Sequence, residues 1–131
     1  MPSRATALSL AAVAVLGLAG CEKQSPYVTL TGGGRTVKAR ATNYCRGAEC
    51  DKGGDVPVLR VSPGDTIGID VPRSLAEQGW AIPALQDQGF RKDHYRTFTL
   101  PEGIRPGDVT LTVVRDERAG AGQWQFTLRV E

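Results

Sequence analysis

From residue 27 onward, apolar and polar residues alternate in short runs cut at regular intervals by Gly, Pro and Asp. In 35–41, Val37, Ala39 and Ala41 fall on one face and Thr36, Lys38 and Arg40 on the other, the period-two pattern of a half-buried strand. Residues 27–30 can pair with it across Gly32-Gly33-Gly34, which permits a tight reversal. Residues 58–61 and 66–71 flank Ser62-Pro63-Gly64-Asp65, where Pro presets φ and Gly tolerates positive φ. Pro72 closes that strand. Ser74-Leu75-Ala76-Glu77 has capping-box spacing, so one or two helical turns are expected, stopped by Gly79. Further strands are predicted over 80–85, with Pro83 placing that one at an edge or bulge, and over 95–100, 109–114 and 123–130. In the last, Trp124, Phe126, Leu128 and Val130 share one face. Seven or eight short strands with one short helix predict an all-β, immunoglobulin-like antiparallel β-sandwich over residues 27–131.

The first twenty residues follow a different rule. Arg4 precedes an uncharged stretch of small and apolar residues over 5–20. It is short for a membrane span, which needs ~20 predominantly apolar positions, and it matches a cleaved secretory leader. The leader ends in Leu18-Ala19-Gly20-Cys21, which resembles the lipobox of bacterial lipoproteins. The resemblance implies a diacylglyceryl group on the Cys21 thiol, cleavage before Cys21, and acylation of the new amine. Two or three acyl chains give a stable anchor where one is marginal. The expected organisation is therefore a leader over 1–20, a tether over 21–26 and the sandwich over 27–131. Its expected place is the extracytoplasmic face of the cell membrane, lipid-anchored. Residues 22–26 span at most ~17 Å fully extended, so the domain sits close to the bilayer.

Cysteine usage agrees with export. Assigning one of the three cysteines, Cys21, to lipid leaves Cys45 and Cys50 as an even pair in a disulfide-permissive compartment. Their spacing is not that of a thioredoxin-like redox pair, so a structural bridge is expected. The 16 basic and 14 acidic residues leave a net charge of +2, unlike the concentrated basic surface of a nucleic-acid binder. No nucleic-acid partner is expected.

Catalytic chemistry has little to stand on. His94 is the only histidine and lies in the charged stretch Arg91-Lys92-Asp93-His94. A catalytic His94 would have to sit in a cleft beside a carboxylate, and no G-x-S-x-G elbow accompanies it. Glu49, Asp51 and Asp55 cluster near the cysteine pair but lack the alternating ligands of an EF-hand loop. No metal, cofactor or catalytic residue is expected, and the protein is not read as an enzyme. Trp80 and Trp124 are expected to fill the space between the sheets rather than to stack on a ligand. Residues 115–118, with Ala119-Gly120-Ala121-Gly122, are expected as an exposed, solvated hairpin loop.

Nearly the whole chain resembles a family of actinobacterial lipoproteins built on a domain of unknown function. The likeness rests on the lipobox with Cys21-Glu22-Lys23 and Pro26, the Cys45 and Cys50 pair, Asp65-Thr66, Ala76 with Gly79-Trp80, and Gly122-x-Trp124-x-Phe126-x-Leu128. It implies lipidation, export and the sandwich, and carries no activity. A second likeness covers Val61-x-x-Gly64-Asp65-Thr66-x-x-Ile69-x-Val71-Pro72, then Gly79-Trp80, Val114-Arg115 and Trp124-x-Phe126. These are similar to chagasin-like inhibitors of papain-type cysteine peptidases, immunoglobulin-like domains that inhibit through three loops. Here residues 72–79 replace the Asn-Pro-Thr-Thr-Gly loop, the Gly-rich second loop is absent, and residues 115–118 replace Arg-Pro-Trp. The resulting expectation is a membrane-anchored, non-catalytic binding module with an envelope protein as partner. The alternative is a chagasin-like peptidase inhibitor.

Overall fold

The structure, a computed structural model, describes residues 24–86 and 90–131. The expected leader, Cys21 and residues 22–23 lie outside the described residues. The elements are β1 (Val28–Gly32), β2 (Arg35–Ala39), β3 (Asn43–Arg46), β4 (Glu49–Asp51), β5 (Val58–Val61), β6 (Thr66–Asp70), α1 (Arg73–Gln78), β7 (Trp80–Ala81), β8 (Tyr95–Thr99), β9 (Gly107–Arg115) and β10 (Gly122–Val130), with a 3-10 turn over Glu117–Ala119. They form an all-β sandwich. One sheet runs β2-β1-β6-β8; the other runs β4-β3-β10-β9-β7, with β5 also paired to β10.

One pairing departs from the antiparallel expectation. β3 pairs antiparallel with β10 at Gly122 and Gln123, while β5 pairs parallel with it from Thr127 to Val130. β4 already runs in the direction of β10 after the β3–β4 hairpin. The chain then steps into the space beside β10 that β3 leaves open, so β5 keeps that direction.

β10 buries every second residue, Gly122 to Val130, and its inner face meets Leu30, Ile67 and Ile69 of the opposite sheet in one core. Trp80, Trp124 and Phe126 are each 0% exposed. Both tryptophans fill the core as expected, which removes them from any ligand-stacking role. Among the described residues, the buried core members lie between residues 28 and 130.

Three local expectations are revised. The strand expected over 80–85 stops at Ala81, and Leu85 N–H turns back to the Ile82 carbonyl. Pro83, with no N–H, cannot extend the ladder. The helix forms where expected and ends at Gly79, with φ of 93°, but not through a capping box. Its N-cap is Pro72, whose carbonyl accepts from Leu75 and Ala76, and Glu77 pairs with Arg73 at 2.9 Å instead of reaching back to Ser74. The β3–β4 hairpin was not anticipated: neither strand shows an apolar alternation. Its directly opposed Cys45 and Cys50 are disulfide-bonded.

The strands run between two poles. At one lie the β1–β2 turn, the 62–65 turn, the 101–106 loop and Glu131. At the other lie the start of β1, the β3–β4 turn, α1, residues 90–94 and the 115–122 loop. Nine-residue β10 spans them, a separation of about 30 Å at ~3.3 Å per residue.

Candidate functional site

The second pole is organised by a side chain that looked solvated in the sequence. Arg115 is 3% exposed and Asp116 6%; within this loop Glu117 to Ala119 and Ala121 are exposed. The Arg115 guanidinium donates at 2.8 Å to the carbonyls of Gly120, Cys45 and Ala121, and at 3.4 Å to Gln78 Oε1. It lies 4.1 Å above the Tyr44 ring, whose edge contacts Trp124. Asp116 N–H donates to the Gly79 carbonyl, and Cys45 N–H to that of Ala121. One fork-shaped cation thus fixes the disulfide hairpin, the end of α1 and the 115–122 loop against one another. The small residues of that loop form its mould. A Cβ on Gly120 would lie 2.8 Å from Arg115 Nη2, and one on Gly122 would lie 3.0 Å from Arg115 Cβ. Asp116 is held below the usual carboxylate range by side-chain and backbone hydrogen bonds from Arg118.

The chain enters the sandwich at this same pole, and it is fastened before β1 begins. Arg46 Nη2 donates to the Gln24 carbonyl at 3.0 Å, buried Ser25 Oγ accepts from Ala41 N–H at 2.8 Å, and Trp124 Nε1 donates to the Pro26 carbonyl at 2.9 Å. Tyr27 follows, 41% exposed, with Lys38 Nζ 4.7 Å and Arg40 Cζ 4.5 Å from its ring centre. Arg40 Nη1 is buried without a hydrogen-bond partner.

An open hollow of about 500 Å³ lies between α1 and residues 92–94, lined by Val71, Arg73, Ala76, Glu77, Lys92 and His94. His94 is exposed, as expected for a loop. The structure does bring a carboxylate, Glu77, into the same lining. Yet Glu77 is engaged by Arg73, no hydrogen bond among the described residues joins it to His94, and no Ser, Cys or Thr lines the hollow. Beside it, Arg96 stacks 4.1 Å from the Trp80 ring and donates to the Trp80 carbonyl at 2.8 Å. Burial, and then the nearby Arg91, hold its pKa below the ordinary arginine value against the opposing pull of Asp93.

A family model described as DUF2771, protein of unknown function, matches residues 21–119, most of the chain. The chain belongs to the DUF2771 family. No curated protein and no solved structure matches it.

Within this DUF2771 domain, Cys45 and Cys50 form the expected disulfide, and Cys21 lies outside the described residues. Glu49, Asp51 and Asp55 do not assemble: no group of three or more His, Cys, Asp or Glu able to hold a metal occurs among the described residues. No helix among them is long and apolar enough to cross a membrane. Sequence reasoning missed Arg115 and the Gln24–Pro26 seam. For Arg115 a signal was available in the Gly-Ala-Gly run that leaves room for a folded-back guanidinium. For Ser25 there was none, because its partner is a backbone N–H sixteen residues away.

Proposed function

We propose that the chain is a non-catalytic binding module, lipid-anchored through Cys21 to the extracytoplasmic face of the cell membrane, with its organised loop pole turned toward the bilayer. The observation that carries this reading is the seam. Residues 24–26 are bonded to the domain at the loop pole, so the free tether shrinks from the expected 21–26 to the residues before Gln24. Three residues span at most ~11 Å. A lipid on Cys21 therefore brings the 46–49, 73–79 and 115–122 segments next to the headgroups and leaves the opposite pole facing away. The lipobox supports the anchor, and the family match opens on Cys21 itself. The partner is then a membrane component or the exposed part of a membrane-embedded envelope protein. No cofactor enters the reading.

Intact mass and detergent-phase partitioning of the protein purified from its own membranes test the anchor. Cleavage before Cys21 with a diacylglyceryl mass is expected, as is release of the Cys21→Ser chain to the aqueous phase. A mature protein with unmodified Cys21 would overturn it. Cross-linking on intact cells then identifies the partner, which should be captured by the anchored form and lost with Cys21→Ser.

A further inference from the structure

The seam pole carries more than structural contacts, because exposed aromatic and basic side chains lie on both of its flanks. Tyr27 is 41% and Phe90 48% exposed. Lys38 sits over Tyr27, and Arg46 reaches the Gln24 carbonyl. On the other flank Arg91 and Lys92 follow Phe90, whose Cβ lies 3.7 Å from where a Cβ on Gly79 would stand. None of the ion pairs among the described residues involves Lys38, Arg46, Arg91 or Lys92. At the opposite pole Arg60 pairs with Glu131 and Arg129 with Asp108, while Arg35 and Arg105 form no ion pair among the described residues. Acidic groups at the seam pole are partly spoken for, since Asp116 is held by Arg118 and Glu77 by Arg73. Glu49, opposite Arg46 in the hairpin, Asp51, opposite Tyr44, Asp70, across Thr29 from Lys38, Glu117 and Asp93 remain. Lys92 lies within electrostatic reach of Asp116.

Exposed aromatic rings beside cations that form no salt bridge match the chemistry of a bilayer interface, where tyrosine sits at headgroup level, phenylalanine enters the acyl boundary, and Lys and Arg meet anionic lipid. We propose that this pole docks directly on an anionic phospholipid surface through Tyr27, Lys38, Arg46, Phe90, Arg91 and Lys92. The proposal rests on Cys21 as the anchor for its biological setting, but it assigns the protein surface a lipid contact of its own. That contact fixes which way the anchored domain stands.

Residues 22–131, which contain the whole described core and lack the lipidated Cys, are the form to test. Flotation is measured with vesicles of phosphatidylcholine alone and of an equal mixture with phosphatidylglycerol. Binding to the anionic vesicles is expected, weakening as salt is raised. Each basic residue near an anionic surface contributes about five-fold, so Lys38→Gln, Arg91→Gln and Lys92→Gln combined should weaken binding about a hundred-fold. Arg35→Gln with Arg105→Gln, at the other pole, should leave it unchanged, with tryptophan emission confirming that both variants are folded. Equal binding to the two vesicles, binding to neither, or equal loss in the two variants would overturn the proposal. Because this form carries no Cys21, a negative result leaves the anchor standing, and unmodified Cys21 in cells leaves the vesicle result standing.

Discussion

Replacing Arg115 removes the tie that holds three segments of the loop pole together, and the size of the loss follows from its contacts. Three carbonyls accept from the guanidinium at 2.8 Å, and hydrogen bonds to a charged group contribute roughly 1.5–3 kcal/mol each. Their sum overstates the effect, since burying a guanidinium costs desolvation that the alanine variant no longer bears. Breaking a buried charged network costs about 3–5 kcal/mol, and we expect Arg115→Ala in that range. Against a total of ~5–15 kcal/mol for a domain, that is a large fraction. Equilibrium urea unfolding followed by emission of Trp80 and Trp124, both fully buried, reads it directly. With m in the range of ~1–3 kcal/mol/M, the midpoint should fall by roughly 1–5 M. Arg115→Lys should lie nearer to alanine than to the wild type, because a point-like ammonium cannot reproduce the fork that reaches both Gly120 and Cys45. Arg118→Ala removes only the solvent-exposed side of the pair with Asp116 and should lower the midpoint far less. A midpoint for Arg115→Ala no lower than that of Arg118→Ala would refute the role assigned to Arg115.

Four further outcomes follow from the geometry. Ser25→Ala leaves the Ala41 N–H buried without its acceptor and should cost about 1–3 kcal/mol, with faster hydrogen exchange at Ala41; unchanged exchange there would show that the seam does not hold in solution. Reduction of Cys45–Cys50 reopens a loop of sequence separation 5 and should lower stability by about 2 kcal/mol on the chain-entropy estimate, whereas two titratable thiols in the untreated folded protein would disprove the bridge. The carboxyls of Asp108, hydrogen-bonded by Arg129, and of Asp116, hydrogen-bonded by Arg118, are held below their ordinary range, so the stability they add is present above pH ~4 and lost as pH falls through the lower, folded values; melting temperature against pH should show that acid limb, and Asp108→Asn with Asp116→Asn should flatten it. In the anchored protein, a membrane-impermeant maleimide should label Gly103→Cys freely and Ala119→Cys slowly, the difference vanishing on release by Cys21→Ser; equal rates in the anchored form would put the loop pole away from the bilayer.

The parts of this fold legible in the sequence are those where one strand's own pattern decides the outcome. β10 alternates over its full length, and the turns at Gly33-Gly34 and Pro63-Gly64 carry residues that favour reversal, so strands and core face could be read directly. The β3–β4 hairpin could not, because Asn43, Tyr44 and Arg46 show no apolar periodicity and its register is set by cross-strand pairing and the disulfide. The parallel β5–β10 pair is likewise a consequence of where β3 ends along β10. Arg115 illustrates the harder limit. A charged residue beside Asp116, Glu117 and Arg118 reads as a solvated tip until the fold brings the Cys45 carbonyl, seventy residues away, within 2.8 Å.

The same long-range contacts constrain what the protein can meet. In many sandwiches the loop-rich end is the free end, and a partner approaches it from solution. Here the residues that tie the loops together and those that fasten the incoming chain share one pole: Trp124 bonds the Pro26 carbonyl while its ring meets Tyr44 beneath Arg115. On the proposed anchor, a lipid on Cys21 would lie within ~11 Å of Gln24, and a soluble globular partner would have no room to reach the 115–122 loop from the membrane side. A headgroup, or the low-lying surface of an embedded protein, would. The inhibitor alternative meets the same constraint, since a papain-type peptidase would have to present its cleft at the bilayer to engage 72–79 and 115–118. Titrating papain with the released residues 22–131 removes that obstacle: tight inhibition by the free domain would favour the inhibitor reading, and full activity at excess domain would leave the membrane-facing module as the reading to pursue.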